Sequence, residues 1–338
     1  MTFQTYRDIG FGLTRIDTGM VRDELAACYL MSGVADAEAW HREEALREAD
    51  HAIIETGTHN TVPAILRLLD QRGIDRSQVR YVIPTHVHLD HAGGVGGLMQ
   101  ALPEATLLVH PRGARHMIDP SRLKAGATEV YGEAAFAEIY GDVLPVDERR
   151  VRTMNDGEQV RVGDRQLVFY DTPGHARHHF CVHDPASAGI FTGDTFGLSY
   201  PQLTTAKGPF ILPTTTPVQF DPPALKSSIE RLLSLSPERV YLTHYDRVDN
   251  PMPLGEALLR RLADFVELAN TVDARCDASC SEPGELEAAL QSAMTHYVDQ
   301  ELEDHGLSLS EDRRQALLGM DIRLNCQGLA VWLQSRRS

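Results

Sequence analysis

Thr85-His86-Val87-His88-Leu89-Asp90-His91 sets three imidazoles and one carboxylate within six consecutive residues. Each is a short side chain that binds a divalent cation once deprotonated. The run follows the apolar Tyr81-Val82-Ile83-Pro84, so it reads as the C-terminal end of a strand that breaks into a tight loop. His86 and His88, two positions apart, share a side while the chain stays extended. Asp90 and His91 then turn toward a second ion, because Ala92-Gly93-Gly94 frees the backbone to begin a helix. The stretch by itself suggests two metal positions.

Working outward, three more short apolar runs end in a side chain of the same kind: Asp171-Thr172-Pro173-Gly174-His175, Phe191-Thr192-Gly193-Asp194-Thr195 and Val240-Tyr241-Leu242-Thr243-His244. A lone histidine at a strand end is more often a hydrogen-bonded loop residue than a ligand. Four separate strand ends, each delivering a metal-competent group, are better explained by one site at one edge of a sheet.

With His-x-His-x-Asp-His followed by Pro-Gly-His, Gly-Asp and a strand-terminal His, the chain resembles the metallo-β-lactamase-fold hydrolase superfamily over roughly residues 27–244. Its seven filled ligand positions make it more similar to the glyoxalase II-like and lactonase-like branch than to the lactamases. The resemblance implies an α/β fold, a four-layer αββα sandwich with a C-terminal helical extension. The catalytic domain would cover 1–249, with an insertion at about 120–146, and the helices 250–338. By the same resemblance His86, His88 and His175 hold one ion, Asp90, His91 and His244 hold the second, and Asp194 bridges them.

Two divalent ions are the cofactor so implied. Zinc suits the mixed imidazole and carboxylate set, and iron or manganese fit nearly as well. Such ions, roughly 3.5–4 Å apart, lower the pKa of a shared water toward neutrality. The expected chemistry is attack of the metal-bridging hydroxide on a carboxylic thioester, ester or lactone, with Asp194 positioning the hydroxide and Asp90 relaying a proton to the leaving group. Three alternatives stay open: a persulfide dioxygenase-like oxidoreductase with a single iron, a phosphodiesterase or nuclease of the same fold, and a metal-binding scaffold without turnover. Ser199 lies outside any Gly-x-Ser-x-Gly elbow, so a serine nucleophile has no support.

Composition narrows the partners. The 338 residues, 42% hydrophobic and 24% charged, suffice for a large core and a second, smaller unit. A formal charge of -16, with Lys124, Lys207 and Lys226 the only lysines, disfavours nucleic acid and points to a small-molecule substrate. No apolar run is long enough to span a bilayer, and residues 1–8 lack the start of a signal peptide, so no membrane association and a cytoplasmic location are expected. A homodimer built through the C-terminal helices is left open. The five scattered cysteines read as ordinary reduced thiols, Cys276 and Cys280 included, since their spacing has no second pair to complete a zinc knuckle.

The remaining stretches supply supports and walls. Residues 27–31 and 51–57 read as strands, and Glu55 is the acidic candidate for a support behind the metal loop. Val62, Ile65, Leu66 and Leu69 are spaced as the buried face of a helix capped by Gly73. Gly93 to Gly97 permits close backbone approach to the site, and Gly163-Asp164 signals a hairpin. His110-Pro111 is expected to start a helix, while Phe136 and Tyr140 sit in an insertion that either packs on the sheet or forms a lid. The long loop at 196–222 reads as the wall of an apolar pocket, with Tyr200 and Phe210 as substrate contacts and Lys207 as a carboxylate or oxyanion contact; His179 is a further candidate to bond a substrate oxygen. Beyond residue 250, Leu258, Leu262, Phe265, Val266 and Ala269 make one helical stripe and Leu286, Leu290, Ala293 and Tyr297 another. Ser308 with Glu311 resembles the cap of a third helix carrying Ile322, Cys326, Leu329 and Leu333.

Overall fold

The computed structural model describes residues 6–215, 218–276 and 284–337. Its backbone divides into two compact units. The first comprises Met1–Asp171, His178–Gly193 and Pro237–Asn250; the second comprises Thr172–Arg177, Asp194–Ser236 and Pro251–Ser338.

The first unit carries the sheets. Strands β1 (Tyr6–Gly10), β2 (Leu13–Asp17), β3 (Ala27–Ser32), β4 (His51–Ile54), β5 (Val79–Ile83), β6 (Thr106–Val109) and β7 (Val151–Thr153) lie side by side in sequence order. β1 to β4 pair antiparallel and β4 to β7 parallel. Parallel neighbours need crossovers, and the chain supplies them as helices. These are preceded by α1 (Glu43–Glu48) and comprise α2 (Val62–Arg72), α3 (Leu89–Ala92), α4 (Val95–Ala101), α5 (Ala114–Ile118), α6 (Ser121–Tyr131) and α7 (Glu133–Tyr140).

Helices α2 and α4 bury Ile65, Leu68, Leu69, Val95 and Leu98 in one core with Ile53, Val82 and Leu107 of the sheet. The α2 stripe differs from expectation at one position: Leu68 is buried and Leu66 only half-buried. With Ile65 at the centre of the arc, Leu68 lies about 60° away and Leu66 about 100°. Gly73 closes the helix at φ 63°, as predicted. The turn at His110-Pro111 delays α5 to Ala114, because the His110 side chain and carbonyl take the Arg112, Gly113 and Ala114 N–H groups. In the insertion, Phe136 and Tyr140 are buried, and Asn60 Nδ2 donates to the carbonyls of Glu138 and Ile139.

The second sheet runs β13-β12-β11-β10-β9-β8, from β8 (Gln159–Val162), β9 (Arg165–Asp171), β10 (Phe180–Asp184), β11 (Gly189–Leu198), β12 (Arg239–His244) and β13 (Asp246–Asp249). Gly163, at φ 54°, closes the β8–β9 hairpin where Val162 pairs with Arg165. The two sheets face each other within this unit. Tyr29 of β3 meets Phe191 of β11 and Tyr241 of β12 edge-on at 5.3 and 5.9 Å, and its hydroxyl donates to the Leu242 carbonyl. Elsewhere in the unit Arg165 and Asp184 form a fully buried ion pair at 2.5 Å, and the guanidinium also donates to the carbonyls of Phe11 and Val34.

The second unit contains α8 (Pro222–Ser234), α9 (Met252–Cys276), α10 (Glu285–His305) and α11 (Glu311–Ser335). Asp221 caps α8 by accepting the Ala224 N–H, with proline in the first turn, where no N–H is required. α9 buries Leu258, Leu262, Phe265 and Ala269 of the predicted stripe, while Val266, at its edge about 100° from Phe265, is only half-buried. The buried face of α10 is instead Leu290, Met294, Val298 and Leu302. Tyr297 is only half-buried because its hydroxyl seeks Asp264, at 2.7 Å, and its ring meets Phe265 edge-on. α11 buries Ile322, Cys326, Leu329 and Leu333 as expected. Its cap is Ser310, not Ser308, because the capping residue must directly precede the first helical one; Ser310 accepts the Arg313 N–H.

Cys276 is disulfide-bonded, which corrects the thiol expectation there, and Cys280 lies outside the described residues. Cys28, Cys181 and Cys326 are buried thiols. No helix among the described residues is long and apolar enough to cross a membrane.

Candidate metal centre

Pro84 has no N–H to continue the ladder, so β5 ends at Ile83 and the loop begins. His88 takes the extended conformation of an N-cap at φ -64° and ψ 149°, and its carbonyl accepts the His91 and Ala92 N–H groups at 3.1 and 2.8 Å. That single turn, α3, carries Asp90 and His91. The loop is stitched to the end of β4: Thr56 donates to the His91 carbonyl through N and Oγ1, at 2.8 and 2.7 Å. A Cβ on Gly94 would stand 2.8 Å from the Thr56 carbonyl oxygen, so only glycine lets the two segments lie this close.

Within the first unit five of the sequence-predicted ligands form a continuous array. His86 Nε2 faces His88 Nδ1 at 2.8 Å, and the His86 and His91 ring centroids are 4.0 Å apart. Asp90, His91 and His244 each offer one ligand atom, all within 4.8 Å of one another. Asp90 Oδ2 lies 3.5 Å from His91 Nε2 and 3.4 Å from His244 Nε2. The opposite ring nitrogens are already engaged, since His91 Nδ1 lies 3.1 Å from Glu55 Oε1 and His244 Nδ1 donates to the Leu25 carbonyl at 2.9 Å. With both Nδ1 atoms as donors, both Nε2 lone pairs face a carboxylate, and three acceptors turned on one point fit a cation. Burial works to raise the Asp90 carboxyl, but the charge and hydrogen bonds of His91 and His244, when these are protonated, outweigh it and hold it well below the ordinary carboxylate range; a cation would take the place of those Nε2 protons.

Glu55 ties this half of the centre together. Its Oε1 accepts from Thr85 Oγ1 at 2.5 Å and Thr243 Oγ1 at 3.1 Å, beside His91 Nδ1, while Oε2 accepts the Thr85 N–H at 3.2 Å. One buried carboxylate thus reaches the ends of β5 and β12 and the start of α3. Residue 55 adopts φ 61°, which turns the chain out of β4. Sequence reasoning offered Glu55 but missed its partners Thr85 and Thr243, two ordinary strand-end threonines. It also missed the Leu25 carbonyl, which leaves no side-chain signal, and Asp17, which accepts the Gly19 and Glu24 N–H groups and the Tyr245 hydroxyl at 2.8, 2.8 and 2.7 Å.

His179 is fully buried, its ring 4.9 Å from His86, and Gly193 at φ 48° has no room for a Cβ against Thr85 Oγ1 and the His179 ring. This is why glycine precedes Asp194. The His178 ring stacks on His86 at 6.1 Å and meets His88 edge-on at 5.5 Å.

The second unit holds the other two predicted ligands together. His175 Nε2 lies 3.3 Å from Asp194 Oδ2. His175 Nδ1 lies 3.2 Å from Thr214 Oγ1, which donates to the Asp194 carbonyl at 2.9 Å. The Pro173-Gly174-His175 turn rests on the start of α8: Asp221 N donates to the Gly174 carbonyl and Ser228 Oγ to the Pro173 carbonyl, at 2.8 and 2.6 Å. Gly174, at φ 131°, has the Leu225 backbone where a Cβ would go.

The loop expected to wall a pocket is instead fastened to the helices of its own unit. Tyr200 and Phe210 are fully buried; the Tyr200 hydroxyl donates to Asp321 at 3.1 Å, and Phe210 lies between the His305 ring and the Arg261 guanidinium. Lys207 Nζ donates to the Asp304 carbonyl at 2.5 Å. Bulky rings beside long amphipathic helices gain more from burial than from lining an open surface, which places Tyr200 and Phe210 among the packing residues of this unit.

A family model described as the metallo-beta-lactamase superfamily matches residues 45–244. The chain belongs to the metallo-beta-lactamase superfamily. Relatives in the superfamily include a metallo-beta-lactamase fold-containing protein of Sulfurisphaera tokodaii, 28% identical over 257 residues, or 75% of this chain and 85% of that one. A hydroxyacylglutathione hydrolase of Fuscovulum blasticum is 28% identical over 177 residues, 52% of each chain. An acyl-coenzyme A thioesterase of Homo sapiens is 30% identical over 122 residues, 33% of this chain and 39% of that one. The match thus spans about half the length of the hydrolase and less of the thioesterase. Among solved structures, an archaeal superfamily protein from Sulfolobus tokodaii shares the fold at a TM-score of 0.61 and 23% identity, covering 94% of this chain and 98% of that one. The superfamily fold implies divalent-metal binding, and the His/Asp clusters are the groups available for it.

Proposed function

We propose that this superfamily member is a metal-dependent hydrolase that cleaves a carboxylic thioester, ester or lactone at a dinuclear centre. Support comes first from the convergence of Asp90, His91 and His244, with both imidazoles anchored through Nδ1 and His86 and His88 adjoining. Following the family pattern, His175 and Asp194 would complete the ligand set, with the Asp194 carboxylate available to both ions. Divalent ions held there, zinc foremost, supply a water acidified toward neutral pH and an electrophile for the carbonyl oxygen. The side chains then have separate tasks. Asp194 orients the attacking water. Asp90, held as an anion, takes up a proton and passes it to the departing alkoxide or thiolate. Glu55 and the Leu25 carbonyl keep His91 and His244 in the tautomer that presents Nε2.

The thioester arm of this reading is supported by relatives named as hydroxyacylglutathione hydrolases and acyl-coenzyme A thioesterases. The test is elemental analysis of protein purified without chelators, run beside hydroxyacyl thioesters, acyl-coenzyme A, lactones and bis(p-nitrophenyl) phosphate. Turnover of one carbonyl class is expected, with Asp194→Ala and His88→Ala abolishing it in folded protein. Full turnover after metal depletion overturns the proposal, and oxygen uptake with a single bound iron replaces it with the dioxygenase alternative.

A further inference from the structure

Asn325 is a buried amide on α11, 4% exposed, in a helix face otherwise made by Ile322, Cys326 and Leu329. Packing alone calls for an apolar residue there. Instead its Oδ1 accepts the Thr215 N–H at 2.6 Å, its Nδ2 donates to the Pro213 carbonyl at 3.1 Å, and Thr215 Oγ1 lies 2.9 Å from the Asn325 carbonyl. One side chain therefore clamps the residues on both sides of Thr214. Thr214 in turn lies against His175 Nδ1, at 3.2 Å through Oγ1, and donates to the Asp194 carbonyl at 2.9 Å. The whole chain of contacts runs inside the second unit, and Thr214, Thr215, His175 and Asp194 are all buried.

We propose that Asn325 is a positioning residue for the metal ligand His175, acting from the C-terminal helix through the Pro213-Thr214-Thr215 segment. An imidazole presents the Nε2 lone pair to a cation only while its Nδ1–H has a fixed acceptor, and partners of this outer kind commonly govern metal affinity by about 10–100-fold. Without the amide, the Thr215 N–H and the Pro213 carbonyl lose their partners in a dry interior, so the segment shifts and Thr214 loses its register on His175. The C-terminal helices on this account do more than bury apolar surface, because one of them sets how firmly the centre holds its ions. The inference rests on the metal-centre reading above.

The test uses the full-length, zinc-loaded protein, challenged with graded dipicolinate while released zinc is followed with a chromogenic chelator. N325A is expected to release zinc at about 10–100-fold lower chelator concentration than the parent. N325D, which keeps the contacts to Thr215 and loses the one to Pro213, is expected to fall between. Leu329→Ala, one turn further along the same buried face and with an apolar side chain that makes no hydrogen bond to the segment, lowers the thermal midpoint and retains zinc as the parent does. Retention by N325A equal to the parent, or release by L329A equal to N325A, overturns the inference. Should N325A not fold, N325D and Thr215→Val read the same clamp from its two sides, and retention unchanged in both overturns it. Parent protein that binds no zinc overturns the metal-centre reading, and this one with it.

Discussion

Replacing Glu55 with glutamine probes the polar hub behind the metal loop with almost no change in volume. The glutamine carbonyl can stand where Oε1 accepts from Thr85 Oγ1, Thr243 Oγ1 and His91 Nδ1, but its NH2 then faces the Thr85 N–H across 3.2 Å. One hydrogen bond to a charged group is lost outright, at about 1.5–3 kcal/mol, and the three retained bonds weaken as the charge goes. The net expectation is a loss of about 2–4 kcal/mol. Glu55→Ala strands all four donors in a site that is 1% exposed and costs about 3–5 kcal/mol. Because His91 Nδ1 leans on the same carboxylate, E55Q also lowers metal affinity by about 10–100-fold. Urea denaturation in excess chelator isolates the stability effect, and chelator competition on metal-loaded protein reads the affinity. E55Q with the parent's urea midpoint and the parent's metal retention refutes the assignment of Glu55 as the hub.

Two further outcomes follow from buried titratable groups away from the ligands. Burial, its largest cause, pushes the His51 imidazole from 6.5 down to about 4. The unfolded chain takes a proton near 6.5 and the folded protein only near 4, so stability falls as pH drops between those values and levels off below, by about 3 kcal/mol in total. His51→Leu is expected to flatten the urea-midpoint profile across that window, and an unchanged slope sinks the assignment. Arg165→Met leaves the fully buried Asp184 without its cation and is expected to cost about 3–5 kcal/mol, with Asp184→Leu added in the same chain restoring most of it; a calorimetric scan of the single and double variants decides the matter.

Much of the candidate centre was legible in the primary structure because metal ligands are side chains of few types, placed at strand ends by short motifs. The density of His86, His88, Asp90 and His91 needed no tertiary information, nor did the hairpin at Gly163-Asp164 or the α2 cap at Gly73. The glycines before Asp194 and His175 were visible as letters, but their reasons lay in the His179 ring and the α8 backbone that fill the Cβ positions. The packing of Tyr200 and Phe210 against the C-terminal helices was not legible, because an apolar loop looks the same whether it faces a ligand or helices that arrive a hundred residues later. Caps and stripes slipped by a residue or two at Ser310 and along α10, where polar partners such as Asp264 decided which side of a mixed helix turned inward.

The amino-acid order by itself determined which groups this protein can offer to a cation, since that depends on residue type and local spacing alone. Which nitrogen of each imidazole points outward was decided only by the folded chain. That choice belongs to Glu55, the Leu25 carbonyl and Thr214, residues distant in sequence whose hydrogen bonds fix a tautomer that no local pattern encodes.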